Sequence, residues 1–184
     1  LALLSVGNGV AAQNESRWHN VAINQQNREP RRAAFFAYET LDKAQSFDKK
    51  KSANYLSMEG MWKFNFVKDH NKRPANFFAA NYDDSEWKDF PVPGLFELNG
   101  YGDATYKNVG YAWATQFDPN PPYISELNNY TGSYRRTFEL PKDWKGKDVY
   151  FHVGSATSNL TLWVNGKYVG YSEKSEMWIN PSTP

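Results

Sequence analysis

The segment Leu160-Thr161-Leu162-Trp163-Val164-Asn165-Gly166-Lys167-Tyr168-Val169-Gly170-Tyr171 decides the fold class. Apolar residues recur at every second position on both sides of Asn165-Gly166, the period of a half-buried strand. Asn-Gly is the chemistry of a two-residue type I′ turn, in which both central residues need positive φ. The segment therefore reads as a β-hairpin, and a hairpin implies an antiparallel sheet.

Strand patterns extend outward from it. Trp62, Phe64 and Phe66 alternate with Lys63, Asn65 and Val67, which describes a half-buried strand. Tyr134, Arg136 and Phe138 alternate with Arg135, Thr137 and Glu139. Val149-Tyr150-Phe151-His152-Val153 reads as a more fully buried strand. Trp62, Trp163 and Tyr134 are expected in the core. Between the strands, residues 91 to 133 are rich in Pro and Gly and carry Phe96, Tyr101, Tyr106, Tyr111, Trp113, Phe117, Tyr123 and Tyr130. A compact domain rarely keeps so long an irregular segment without a use for it. With 12 Gly, 10 Pro and 17% aromatic residues in 184, the composition favours short strands and many turns. The expected fold is all-β: an antiparallel jelly-roll sandwich.

Ahead of the strands, residues 13 to 50 lack strong periodicity and read as an extended arm that docks Phe35, Phe36 and Tyr38 on a neighbouring surface. Asp48-Lys49-Lys50-Lys51 reads as a solvated turn. The opening Leu1-Ala2-Leu3-Leu4-Ser5-Val6, followed by Ala11-Ala12 and then polar residues, resembles the second half of a signal peptide. The expected organisation is a signal-peptide remnant at 1–12, an arm at 13–50 and a sandwich domain at 51–184 cut short at its C-terminus. Export to a bacterial periplasm or cell surface follows. No stretch reaches the ~20 apolar residues of a membrane span.

Charge and chemistry narrow the function. Lys and Arg number 21 against 20 Asp and Glu, so the net charge of +1 gives no support for nucleic-acid binding. With no Cys, disulfides and thiol chemistry are excluded. The sequence carries no nucleophile elbow, zinc-protease motif or phosphate-binding loop. His19, His70 and His152 lack metal-ligand spacing. Asp83-Asp84-Ser85-Glu86-Trp87 is the densest acidic cluster, and it reads as a turn capped by side-chain oxygens with Trp87 as a core anchor. What remains suits sugars: aromatic faces match a pyranose ring, and Asn, Asp and Arg match its hydroxyls. Tyr106-Lys107-Asn108-Val109-Gly110-Tyr111-Ala112-Trp113 offers both in one stretch.

Several segments, taken in order, carry a resemblance. They are Trp18-His19-Asn20, Asn27-Arg28-Glu29-Pro30-Arg31, Ser57-Met58-Glu59-Gly60-Met61-Trp62-Lys63-Phe64, and Val92-Pro93-Gly94 running to Gly100-Tyr101-Gly102. Tyr106-Lys107-Asn108, Asn120-Pro121-Pro122, Gly132-Ser133-Tyr134-Arg135-Arg136-Thr137-Phe138 and Trp163-Val164-Asn165-Gly166-Lys167-Tyr168-Val169-Gly170-Tyr171-Ser172 follow. Together, over residues 18 to about 175, they resemble the opening, non-catalytic domain of family 2 glycoside hydrolases of the long bacterial β-galactosidase type. Phe96 stands where the family has Trp, and Ala104 replaces a Pro.

The resemblance implies a role for Asn108, the Asn of a Tyr-x-Asn motif, on a loop that reaches the active site and hydrogen-bonds galactosyl hydroxyls. Val109 would line the pocket beside it. The alternative is an Asn that fixes its own turn. No catalytic residue is expected in this segment. The family places its two catalytic Glu residues, a nucleophile and an acid/base acting with retention, in a later barrel. By the same resemblance this segment holds no cofactor, and Mg or Na ions are candidates for the parent polypeptide alone. The implied partners are β-galactosides, the catalytic barrel and, as an option for the parent, further copies of itself. The competing readings are a free-standing carbohydrate-binding module and an inactive fragment.

Overall fold

The computed structural model describes residues 17–30, 33, 35–104, 125, 129–173 and 177–181. Among them the protein is mostly β, built from short antiparallel strands. They are β1 (Gln25–Gln26), β2 (Gly60–Val67), β3 (Lys88–Val92), β4 (Thr131–Arg135), β5 (Phe151–Val153), β6 (Leu160–Val164), β7 (Lys167–Ser172) and β8 (Met177–Ile179). One helix of five residues, α1 (Leu41–Gln45), is capped by Thr40, whose hydroxyl accepts from Lys43 N–H at 3.3 Å. The strands form a sheet in the order β3-β2-β4, a second in the order β1-β7-β6, and the pair β5-β8.

The hairpin forms where its turn chemistry places it. Val164 pairs with Lys167 across Asn165 (φ 51°) and Gly166 (φ 80°). Leu162 then pairs with Gly170 and Trp163 with Tyr168, so Val169 is the extra residue of a β-bulge. Val169, Met177 and Ile179 are buried, with Val153, Leu160, Leu162 and Val164 packed around them. Gly170 is required here: a Cβ would lie 2.3 Å from Ile179 Cδ1 and 3.0 Å from Gln26 O.

A second, aromatic core lies on one face of β3-β2-β4. The alternation in β2 puts Phe64 directly opposite Tyr134 and Trp62 opposite Phe90. Phe64 and Phe90 are each 1% exposed, and their rings lie 4.4 Å apart. Burying one such ring contributes about 1.5–3 kcal/mol. Trp62, Trp163 and Tyr134, expected in the core, are half-buried instead. Trp62 Nε1 donates to Met58 O at 2.9 Å.

Two strand expectations are corrected. The strand expected over 134–139 ends at Arg135. Beyond the Lys63–Arg135 pair, Arg136 bonds the chain through its side chain, its Nη1 donating to Met58 O at 2.7 Å and Glu59 O at 2.8 Å. Phe138 is left 37% exposed. The strand read as more fully buried over 149–153 is Phe151–Val153 alone, and it is only partly buried. Tyr150 is exposed, and so is His152, which stacks on Trp178 at 4.0 Å.

Described residues of the stretch read as an arm contact other parts of the protein. Gln25 and Gln26 pair with Ser172 and Tyr171, adding a strand to β7. Trp18 meets His70 edge-on at 5.0 Å, and Phe36 packs against Tyr38 and Tyr55 at 4.8 and 5.9 Å. Phe35, expected to dock, is 65% exposed. In the same stretch, α1 is followed by a single 3-10 turn at Lys49–Lys51, capped by Asp48. That lysine run is solvent-facing, as expected. No helix among the described residues is long and apolar enough to cross a membrane.

Candidate functional site

The segment expected to carry the site leaves β3 at Val92 and re-enters the sheet at Thr131. Its first described part is tightly built. A single 3-10 turn at Glu97–Asn99 ends on Gly100, whose φ of 82° reverses the chain. Asn99 Nδ2 donates to Leu95 O at 2.8 Å, and Tyr101 N–H donates to Phe96 O at 3.0 Å. This folding turns Phe96 and Tyr101 onto Phe64, at 5.6 and 4.9 Å. These two half-buried aromatics therefore pack over the aromatic core.

The returning end is built on the same strand. The Tyr130 ring lies 5.5 Å from Phe66, and its hydroxyl donates to the Asp103 carboxylate. That hydrogen bond raises the Tyr130 phenol above its usual range. Gly102 (φ 74°) lets the chain pass close to this ring; a Cβ there would sit 3.2 Å from it. Asn129 Nδ2 lies 3.1 Å from His70 Nδ1. The two ends of the segment thus meet over β2. Asn108 and Val109, the expected substrate contacts, lie outside the described residues, as do Tyr106, Tyr111, Trp113, Phe117 and Tyr123.

The acidic cluster is structural. Asp83 Oδ1 accepts from Ser85 N–H at 3.0 Å, a bond that holds its carboxyl below the usual range. Asp84 Oδ2 pairs with Arg135 Nε at 2.7 Å, and Trp87 is buried at 9% exposure, the turn and anchor expected of this run. Among the described residues, no three His, Asp or Glu side chains come together as a metal site. His19 and His70 both lie against Trp18, at 6.4 and 5.0 Å, while His152 lies on Trp178.

Sequence reasoning missed the Asp103–Tyr130 contact. The two residues are 27 positions apart, and neither periodicity nor a motif pairs them.

Similarity to known proteins accords with this architecture. Residues 55–180 match the glycosyl hydrolases family 2, sugar binding domain. A β-galactosidase of Priestia megaterium is 36% identical over 157 residues, covering 85% of this chain and 15% of that protein. A β-galactosidase of Halalkalibacterium halodurans is 33% identical over 162 residues, covering 88% of this chain and 16% of the relative. A β-galactosidase large subunit of Leuconostoc lactis is 34% identical over 131 residues, covering 65% of this chain and 21% of that subunit. The chain thus spans a small part of the length of the curated relatives it matches. It belongs to the family 2 glycosyl hydrolase sugar-binding domains, homologous to bacterial β-galactosidases over most of its 184 residues.

Proposed function

We propose that this chain is the non-catalytic N-terminal domain of a β-galactosidase polypeptide that hydrolyses terminal β-galactosides with retention. The observation that carries the reading is the 36% identity to a β-galactosidase over 157 residues, which includes the Tyr106-Lys107-Asn108 stretch only as part of a whole-domain match. The two three-stranded sheets would be the faces of a jelly-roll sandwich. Asn108 would hydrogen-bond galactosyl hydroxyls, since a carboxamide both donates and accepts without charge. Val109 would form the pocket wall beside it. Both catalytic Glu residues, and any Mg or Na ion, would belong to the later part of the polypeptide.

The apolar opening at Leu1–Val6, followed by Ala11-Ala12, supports export of the parent to a periplasm or cell surface. Fractionated cells and the mass of the mature protein's N-terminal peptide test this. A mature protein that retains residues 1–12 overturns it.

The functional test is hydrolysis of an aryl β-galactoside by the chain alone and by its complete open reading frame. The expected result is turnover by the complete polypeptide and none by the 184 residues, which lack an assembled pair of catalytic carboxylates in this reading. Turnover by the purified chain, or none by the complete polypeptide, overturns it.

A further inference from the structure

Asn is followed by Gly at Asn8-Gly9, Asn99-Gly100 and Asn165-Gly166. The first pair lies outside the described residues. In such a pair the backbone nitrogen of Gly can reach the side-chain carboxamide of Asn, because Gly has no side chain to obstruct the approach. The two described pairs are held differently. Asn99 closes a 3-10 turn, and its Nδ2 donates to Leu95 O at 2.8 Å. Gly100 N–H donates to Glu97 O at 3.4 Å. Asn165 is exposed at the tip of the β6-β7 hairpin, and no hydrogen bond restrains its carboxamide among the described residues. Gly166 N–H donates to no backbone carbonyl among the described residues, since the strand pairing that closes the turn is between Val164 and Lys167.

We infer that Asn165-Gly166 is a site of spontaneous deamidation in the folded protein, reacting ahead of Asn99-Gly100. The Gly166 amide loses its proton to solvent base, and its nitrogen attacks Asn165 Cγ. A bond forms between that nitrogen and Cγ, the Cγ–Nδ2 bond breaks, and Nδ2 takes up a proton and leaves as ammonia. The product is a cyclic succinimide. Water then opens the ring at either carbonyl. One opening gives an Asp at position 165, and the other gives an isoaspartate whose main chain runs through Cγ. One water is consumed, one ammonia is released, and nothing is oxidised or reduced.

The two products differ in consequence. Asp-Gly suits the same type I′ turn, so the Asp form keeps the hairpin. Isoaspartate adds a methylene to the main chain, so a two-residue turn no longer sets Val164 against Lys167. The tip is also packed. A Cβ on Gly166 would lie 3.7 Å from Ala80 N and 3.8 Å from Phe78 O, and Trp163 stacks on Phe78 at 5.2 Å. The isoaspartyl form therefore loosens the hairpin from residues 78–80.

The test incubates the 184-residue chain, folded and in denaturant, at neutral and mildly alkaline pH, and maps its peptides by mass. An endoprotease that cuts before Asp and not before isoaspartate separates the two products. In the folded chain, Asn165 should convert about five- to hundredfold faster than Asn99, the effect of two ordinary hydrogen bonds that must open first. The rate should rise with pH, because the attacking nitrogen must lose a proton. In denaturant the two sites should convert at similar rates. Equal conversion in the folded chain, or faster conversion at Asn99, overturns the inference. So does a folded chain that keeps Asn165 intact while the denatured chain converts it. The incubated wild type should melt below the fresh chain. Asn165→Gly, which keeps the turn and lacks the carboxamide, should hold its thermal midpoint through the same incubation. A fall as large as that of the wild type overturns the structural consequence.

Discussion

Arg135 pairs with Asp84 at 2.7 Å and thereby ties the last residue of β4 to the turn that leads into β3. Asp84 supplies one of several bonds. Arg135 Nη1 also donates to Phe77 O and, at 3.0 Å, to Ala79 O, and Nη2 donates to Tyr82 O at 3.4 Å. The guanidinium carbon lies 5.4 Å from the centre of the Tyr82 ring. One planar side chain reaches three carbonyls of an irregular segment, of which Ala79 O also accepts from Tyr82 N–H at 3.1 Å.

Arg135→Lys should therefore behave as a disruptive substitution. An ammonium has three donors on a single atom and cannot span the same set of acceptors. Carbonyls left short of donors cost about 1–3 kcal/mol in total. Denaturant unfolding of the variant checks this. A loss below about 0.5 kcal/mol, the level of an ordinary surface change, would show that the bonds to residues 77–82 contribute little.

The hairpin makes a second, local prediction. Gly166 has a φ of 80°, and Asn165 a φ of 51°. An L-residue with a side chain costs roughly 1–2 kcal/mol in that region, Asn being among the tolerated exceptions. Gly166→Ala should be destabilised by about that amount, and Asn165→Gly should be nearly neutral. Equal thermal midpoints for Gly166→Ala and wild type would contradict a turn with both residues at positive φ.

This hairpin was legible because its determinants are local: two turn residues flanked by a period of two. The alternation in β2 was legible for the same reason, since Phe64 and Phe66 each report their own face. The end of β4 was not. It depends on Arg136, whose side chain reaches carbonyls 77 and 78 positions earlier in the chain. β1 was not legible either, because Gln25-Gln26 has no pattern of its own and becomes a strand only by pairing with β7. The exposure of His152 depends on what covers the β5-β8 pair, which no local period encodes. Asn108 was singled out only through family resemblance; its composition and spacing fit a turn residue equally well.

Acid should loosen the contact between Glu39 and the turn after the lysine run. Glu39 Oε1 accepts from Ser52 Oγ at 2.8 Å, Ala53 N–H at 2.7 Å and Asn54 N–H at 3.3 Å. Its own backbone N–H, then Ser52 and Ala53, with Lys43 nearby, lower the carboxyl pKa from 4.5 to about 2. A carboxyl depressed in the folded state stabilises the protein fully above its unfolded pKa. That stabilisation is lost as pH falls from about 4.5 through about 2. Glu39→Gln should therefore melt below wild type at pH 7, and the gap should close as pH falls across that window. A gap that stays constant from pH 7 to pH 2 would remove Glu39 from the acid response.

The remaining prediction separates binding from folding at Asn108. In the longer polypeptide proposed above, and if Asn108 contacts the sugar as proposed, Asn108→Ala should leave the thermal midpoint nearly unchanged and impair galactoside turnover. A lost hydrogen bond to a sugar hydroxyl costs on the order of 0.5–1.5 kcal/mol, and more if a buried partner is left unpaired. That corresponds to a fall in kcat/KM of roughly two- to tenfold, extending to tens-fold in the second case. If the bond tightens as the glycosidic bond breaks, kcat should fall along with the rise in KM. Asn165→Ala is the matched control, because its Asn occupies a turn with a φ of 51° and lies on the hairpin. It should lower the thermal midpoint without a specific kinetic defect. If Asn108→Ala instead melts early and keeps wild-type kinetics while folded, Asn108 fixes its own turn, and the sugar contact must be sought elsewhere.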